Sequence, residues 1–486
     1  MLVQKKYNLL ITNVAIIFAI TINNIACKKL VEVKVPNNQL VKNVVFSDDR
    51  TSIAVLNTIM TTISYGAVDG LYLPSIPLIT GLSGDEMIIF NTALNKTLTG
   101  YFQNNLDQNN ISSVNIWKAS YTVLYKINDA IEGISNSTSL TESVRKQLIG
   151  EAKFWRSYCY FYLVNLYGDV PLILTTDYTK NSLIGNSNQS EIWKQIISDL
   201  NEAKDLLSDN FLDGLLMNPT TERVRPTKWA ASALLAKAYL YNKNWAMAEE
   251  ESTIVISNTA TFNLSSLNEV FKRNSSEAIL QSQPLADNFN TAYAPYYVIP
   301  SGSAPTFSHP IYLSDHLLKS FENGDLRKLN WINSSIASTG ITYYYPFKYQ
   351  SYKEIRPTDE LTEYTMILRL SEQYLIRSEA RAQQGKLSLA LEDLKIIRNR
   401  AGLDAIFSND QTSLIDSILH ERQVELFAEW GDRWLDLKRT NKIDQVMTIV
   451  TQEKGGVWNN YKKYYPIDGA ELLFSPNIKQ TPGYQK

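Results

Sequence analysis

The sequence predicts a mainly α-helical protein built on tetratricopeptide-like helical hairpins, with long irregular loops and little β structure. Three observations predict it. Long stretches carry apolar residues at steps of three and four. Two pairs of helical segments are joined by tight turns, with small residues 12 positions apart across each turn. Between those pairs lies a stretch rich in Ser, Asn, Pro and Tyr with little periodicity. The chain has 486 residues, 44% hydrophobic and 20% charged, which is ordinary globular composition with material for a large core. A net charge of −2 gives no electrostatic case for nucleic acid. The 28 Tyr and 9 Trp suit either ligand-facing surfaces or a large helical core.

The N-terminus reads as an export signal. Lys5 and Lys6 form a short basic region, and the apolar run from Leu9 to Ile22 is too short for a comfortable membrane span. "NIAC" then ends at Cys27, a small residue followed by Cys, which is the pattern of bacterial lipoprotein processing. These residues predict a lipoprotein signal peptide at 1–26, lipidation at Cys27 and a tether over 27–45. Stable membrane anchoring needs more than one acyl chain, as a triacylated Cys provides. A single helical domain is expected over 46–486, with 258–364 as a loop-rich insertion. The only other cysteine, Cys159, sits in an apolar helical pattern and is expected as a buried thiol. With three histidines at non-ligand spacing and no paired cysteines, no metal centre is expected.

In "SLTESVRKQLIGEAKFWRSYCYFYLVNLYGDVPLI", Ser139 and Glu142 predict a capping box. Val144, Leu148, Ala152, Trp155, Cys159 and Tyr162 follow on one face, and Phe154, Tyr158 and Phe161 make the opposite face aromatic too. A helix apolar on both sides lies between neighbours, and Gly168 and Pro171 end it. The first hairpin is "KWAASALLAKAYLYNKNWAMAEEESTIVI", with Ala236 and Ala248 across its turn. The second is "SEQYLIRSEARAQQGKLSLALEDLKIIRNRAGL", with Gly385 as the break and Ser378 and Ala390 across it. The insertion between them is aromatic, with 14 Phe, Trp and Tyr among the 64 residues from Phe289 to Tyr352. Long irregular segments in compact proteins are usually functional. A similar aromatic stretch with Gly and Pro runs from Ser64 to Phe102.

Familiar catalytic patterns are missing. The sequence has no glycine-rich phosphate loop and no H-E-x-x-H, and "GLSGD" at 81–85 departs from a nucleophile elbow by one position. Asp85-Glu86 reads as a solvated turn, or else as a capping or calcium-binding pair, so a structural calcium is the one ion left open. The acidic, Trp-containing "ELFAEWGDRWLDLKR" at 425–439 carries two readings. Glu425, Glu429, Asp432 and Asp436 could serve a glycoside hydrolase. Alternatively Glu425, Glu429, Arg433, Asp436 and Arg439 form a structural ion-pair network, with Glu429 reaching Arg433 at i+4, Asp436 reaching Arg439 at i+3, and Gly431 allowing a change of direction. The network is the reading favoured here.

Several segments together resemble the SusD/RagB family of outer-membrane nutrient-binding lipoproteins. "GEAKFWRSYCYFYLVNLYGDVPLI" resembles its long helix and G-D-V-P exit, "SSEAIL" (275–280) the segment after the first hairpin, and residues 369–403 its helix pair. "ILHERQVELFAEWGDRWLDLKR" is similar to its E-R-x-x-E-L-x-x-E-G-x-R-W-x-D-L-x-R signature, and "YYPIDGAELLFSPNIKQTPGY" to its closing segment. Trp430 and Asp468 depart from those patterns, and Lys28-Lys29 stand where acidic residues are common in the family. The resemblance implies a SusD-like fold without catalytic chemistry or cofactor. It also implies a lipid-anchored, surface-exposed place at the outer membrane, a glycan or other nutrient as ligand, and a SusC-like TonB-dependent transporter as partner. The alternative is a tetratricopeptide-type adaptor that binds only protein. For a glycan, aromatic rings cover sugar faces and polar side chains meet the hydroxyls. Loop placement then nominates Tyr293, Tyr296, Tyr297, Trp331, Tyr343, Tyr344 and Tyr345, with Asp287 and Asn288 as polar partners. Adjacent rings such as 343–345 cannot all face one way.

Overall fold

The computed structural model describes residues 45–65, 72–93, 95–109, 116–284, 290–291, 293–353 and 359–484. Cys27, Asp287 and Asn288, with the signal and most of the tether, lie outside the described residues. The chain is mostly helical, as the periodicity predicts. Its main helices are α1 (Asp49–Tyr65), α2 (Tyr72–Ser83), α3 (Ile116–Asn136), α4 (Glu142–Tyr167), α5 (Gln189–Leu206), α6 (Lys228–Tyr241), α7 (Trp245–Ile256), α8 (Leu370–Gln383), α9 (Leu387–Arg400), α10 (Gln411–Leu426) and α11 (Asp432–Arg439).

From α3 to α9 each of these helices packs on the next, and α10 closes against α8. Both helical hairpins form, with their predicted small residues inside. Ala236, Ala248, Ser378 and Ala390 are fully buried, and the Ser378 hydroxyl donates to the Ala390 carbonyl at 2.7 Å. Only small side chains let two backbones come this close. Gly385 turns the second hairpin at φ +75°, a left-handed conformation that costs glycine nothing. The α4 helix is buried all round from Phe154 to Val164, with Cys159 inside it. Each large ring buried there contributes roughly 2–3 kcal/mol. Arg156 on α4 donates to Asp199 on α5 at 2.7 Å and to Asn128 on α3 at 3.1 Å, so one guanidinium ties three helices. The predicted capping box does not form. The N-cap is Thr141, and Glu142 turns outward to Arg145. An Asp49 carboxylate from α1 accepts the Thr141 N–H instead, a tertiary cap that local sequence does not reveal.

The stack skips the insertion, because α7 packs directly on α8 although residues 257–369 intervene. Two strands close the insertion at its base: β2 (Ala278–Ser282) pairs antiparallel with β6 (Thr365–Arg369). The remaining strands form two more two-stranded antiparallel sheets. β1 (Met87–Ile89) pairs with β3 (Ile311–Leu313), and β4 (Ile332–Ile336) with β5 (Thr342–Pro346). The sequence showed little periodicity here because each strand is only three to five residues long. One apolar core runs from Phe46 to Ile467, and a smaller one around Leu394 and Ile418 fills the α8–α10 end.

Candidate functional site: an aromatic face held by a buried ion-pair cluster

The β1–β3 ladder joins the two aromatic stretches. It continues one step through the Phe90 N–H, which donates to the Pro310 carbonyl at 2.8 Å. Strand β5 lies against β3, so Phe90, Tyr312 and Tyr343 meet edge to face. Tyr343 is 5.9 Å from Phe90 and 5.2 Å from Tyr312, centroid to centroid. Such pairs hold their rings rigidly at low entropy cost. Phe90 is 38% exposed, Tyr312 and Tyr343 are half-buried, and Phe307 stands out on the neighbouring 306–309 turn. In that turn His309 Nδ1 lies 3.3 Å from the Thr306 hydroxyl, and burial pulls its pKa below the ordinary value, which favours neutral imidazole at pH 7.

The nominated rings divide. Tyr344 is 41% exposed on the opposite face of β5 from Tyr343 and Tyr345, as alternation requires. Tyr296 is 43% exposed on the short helix Ala294–Tyr297, which packs beside β3. The other four are buried: Tyr293 stacks on Tyr349 at 5.5 Å, Tyr297 and Tyr345 enter the core, and Trp331 donates its indole N–H to the Leu267 carbonyl at 2.9 Å. Those four therefore offer no surface to a ligand and are corrected to core residues. Phe90, Tyr312 and Phe307 were not nominated. The signal for Phe90 was the second aromatic stretch, which only strand pairing brings beside the insertion, whereas Phe307 and Tyr312 lie within the insertion's own aromatic stretch.

What fixes this face to the stack is the charged stretch. Glu425 on α10 accepts from Arg327 at 2.9 Å and Arg369 at 2.6 Å, and also from Arg400. Arg369 reaches Glu429 with two nitrogens, at 2.9 and 2.8 Å, and Glu277 at 3.1 Å. Lys348, two residues beyond β5, donates to Glu429 at 2.5 Å and lies 4.1 Å from the Phe427 ring centre. Arg327, also from the insertion, pairs with Glu421 at 2.6 Å. Although burial alone would raise its pKa, the guanidiniums of Arg400, Arg369 and Arg327 hold the Glu425 carboxyl well below the ordinary range.

The ion-pair reading holds in outline and changes in its pairs. Asp436 does accept from Arg439, at 2.7 Å, and from Arg422 at 2.6 Å. The predicted Glu429–Arg433 pair does not form, because α10 ends at Leu426. Glu429 lies in the turn that follows, and Gly431 at φ +80° starts α11 in a new direction. Arg433 instead reaches back to Asp85, Nη2 to Oδ2 at 2.7 Å and Nε to Oδ1 at 3.0 Å. Asp85 and Glu86 are both buried, so the solvated-turn reading is corrected, and the guanidinium occupies the Asp85 carboxylate that a calcium would use. Among the described residues no cluster of His, Cys, Asp and Glu is placed to hold a metal, and no helix is long and apolar enough to cross a membrane.

Comparisons with known proteins agree with this architecture. Residues 74–240 match a family described as "Starch-binding associating with outer membrane", and residues 320–484 match the SusD family. A SusD-like protein P2 of Formosa agariphila is 25% identical over 428 residues, covering 78% of this chain and 82% of its own. Among solved structures, a SusD superfamily protein of Bacteroides vulgatus superposes with a TM-score of 0.75 at 19% identity, covering 90% of this chain and 100% of its own. Surface glycan-binding protein A of Bacteroides fluxus gives 0.73 at 22%, covering 89% and 99%. A laminarin-binding SusD-like protein gives 0.72 at 21%, covering 90% and 99%. With a matching helical architecture, two matches that together span most of the chain, and a charged signature that works as the clamp between stack and insertion, the chain belongs to the SusD/RagB family.

Proposed function

We propose that this protein binds glycans at the outer membrane through the Phe90–Tyr312–Tyr343 face, carries a lipid on Cys27, and passes its ligand to a SusC-like TonB-dependent transporter. The observation that carries the reading is the rigid set of partly exposed rings where β1, β3 and β5 meet. Sugar rings offer apolar C–H faces edged by hydroxyls, and such a face binds them without chemistry. Tyr296, exposed on the helix beside β3, is a further candidate ring. Tyr344 points to the other side of β5 and would meet a ligand only there, and Asp287 and Asn288 are retained as polar partners. Binding at one such face is weak, and repeated units in a polysaccharide supply avidity. The names of the glycan-binding and laminarin-binding relatives support the ligand class. The hydrolase alternative draws no support from geometry. Glu425, Glu429, Asp432 and Asp436 are buried, and each is engaged by an Arg or Lys side chain. A general acid needs an accessible carboxyl with a raised pKa, whereas Glu425 is pulled the other way.

Electrophoresis through native gels containing laminarin, starch or xylan tests the binding. At least one glycan should retard the wild-type chain. Phe90→Ala and Tyr343→Ala should each weaken that retardation about tenfold, the order expected when one stacked ring is lost. Retardation that both variants leave unchanged would move the site elsewhere.

A further inference from the structure

A second apolar surface lies on two segments that share no residue with the aromatic face. One is 178–183, in the loop that follows α4, and the other is 473–477, near the C-terminal end. Hydrogen bonds hold them side by side. The Asn477 amide donates to the Ser182 carbonyl at 3.1 Å, the Asn186 amide to the Lys479 carbonyl at 3.1 Å, and the Lys479 N–H to the Asn186 side chain at 3.1 Å. Tyr178, Leu183, Leu473 and Phe474 on these segments are 75–86% exposed. A lone exposed apolar side chain is ordinary, but four on paired segments mark a contact.

Shape, charge and position together select the occupant. Side chains this exposed stand out from the surface and line no groove. A partner protein would need a matching pocket for each, whereas a lipid interface accepts protruding side chains in any arrangement. Lys180 and Lys479 are exposed beside them, placed to meet lipid phosphates while their stems cover hydrocarbon. The neighbouring Asp177, 3.5 Å from Lys180, is committed to its own helix, where it accepts the Thr179 and Lys180 N–H groups. Position is set by the last turns of α3. The Phe46 ring fills the space that a Cβ on Gly133 would take, so the chain departs toward Cys27 from this end of the helix. On the adjacent residue, Glu132 accepts the Thr175 and Thr176 hydroxyls at 2.9 and 2.6 Å, which fixes the loop carrying Tyr178 at the same end. Residues 28–44 can span at most about 60 Å, so an anchor at Cys27 keeps this end of the body within reach of the bilayer.

We propose that Tyr178, Leu183, Leu473 and Phe474 rest in the headgroup–acyl boundary of the membrane that anchors the chain, and so set how the body stands on it. The proposal rests on the membrane anchoring proposed above. Four side chains bury too little hydrocarbon to hold the chain alone, and tethering raises their effective concentration at the surface enough to engage them.

Fluorescence quenching on vesicles tests this. The mature chain, with Cys27→Ala and a histidine tag ahead of residue 28, is held on phosphatidylcholine–phosphatidylglycerol vesicles by a nickel-chelating lipid, so the outcome does not depend on acylation of Cys27. The probe is a nitrobenzoxadiazole dye on Phe474→Cys. The reference is the same dye on Phe407→Cys, an exposed position between α9 and α10 at the other end of the stack. Cys159 is buried, out of reach of the dye. The dye at 474 should shift to the blue and lose intensity when doxyl-labelled lipid is added, and the dye at 407 should do neither. Leu183→Asp combined with Leu473→Asp, both at exposed positions, should return the 474 signal to that of 407. Equal signals at 474 and 407 in the unsubstituted chain overturn the proposal and leave the surface to a protein partner. Quenching at 474 that survives the paired Asp substitutions overturns it as well, because the dye alone then enters the lipid. Failure of the lipid-anchor reading would show in the membrane fractionation of the Cys27→Ala chain from cells and would leave this result standing.

Discussion

At the scale of single residues, the chemistry of this protein is mostly that of buried charge. Glu86 shows it most clearly. Burial and the adjacent Asp85 charge push its pKa from 4.5 up to about 8. Below pH 4.5 the carboxyl is neutral folded and unfolded, so its stabilising share is complete. As pH rises from 4.5 toward 8 the unfolded chain releases a proton that the folded chain keeps, and stability falls. Buried Lys454, pulled down to about 7 by its own desolvation, works in the opposite sense: its share is present above pH 10.5 and is lost as pH falls toward 7. The window from pH 5 to 7 therefore separates Glu86 from Lys454, and His309, lowered from 6.5 by burial and acting in the opposite sense there, is common to wild type and variant. Glu86→Gln should flatten the fall in melting temperature across that window, and a profile as steep as wild type would show that Glu86 is ionised in the fold. Arg433 makes a second case. Arg433→Ala strands the Asp85 carboxylate, which is buried with the guanidinium as its main counter-charge, at a cost of about 3 kcal/mol. Folded yield and export should drop, while any protein that folds keeps the wild-type glycan preference in the gel assay. Adding Asp85→Asn should recover part of the yield.

At the scale of elements, the turn between α10 and α11 decides where the signature side chains go. Gly431 has φ +80°, and a Cβ there would come within 2.8 Å of the Thr80 hydroxyl on α2. Gly431→Ala combines left-handed strain of about 1 kcal/mol with that clash, so a loss of roughly 2 kcal/mol is expected from denaturant midpoints. A neutral result would mean that α2 yields freely. The helical hairpins were legible in the sequence because their contacts repeat locally: Ser378 and Ala390 are 12 residues apart and touch through a hydrogen bond. The strands were not legible, since β1 finds its partner β3 more than 200 residues away and each is three residues long. Composition marked the aromatic stretches, but burial separated Tyr296 and Tyr344 from Tyr293, Tyr297, Trp331 and Tyr345. Which rings the scaffold consumes depends on what packs over them, and adjacent residues of one strand receive opposite answers.

At the scale of the whole molecule, a helical stack carries a large insertion on one long-range clamp. The insertion leaves after α7 and returns before α8 without separating them, and Arg327, Lys348 and Arg369 fasten it to glutamates on and just beyond α10. Such a cluster fixes geometry more than it adds net stability, since desolvation offsets much of the attraction. Attachment to the membrane belongs to this scale too. Cys27→Ala should shift the chain from the membrane pellet to the soluble fraction after cell lysis, and a protein that stays in the pellet would end the lipid-anchor proposal. By itself the sequence determined the helical class, the hairpin contacts, the buried α4 helix and the structural use of the 425–439 charges, because periodicity and short-range spacing are local properties of the chain. Only the tertiary structure decided that Arg433 answers Asp85 rather than Glu429, that Phe90 joins Tyr343, and that the segments of Leu183 and Phe474 run side by side. Each of those rests on residues far apart in sequence, whose meeting is set by how the helices and strands pack rather than by any local preference.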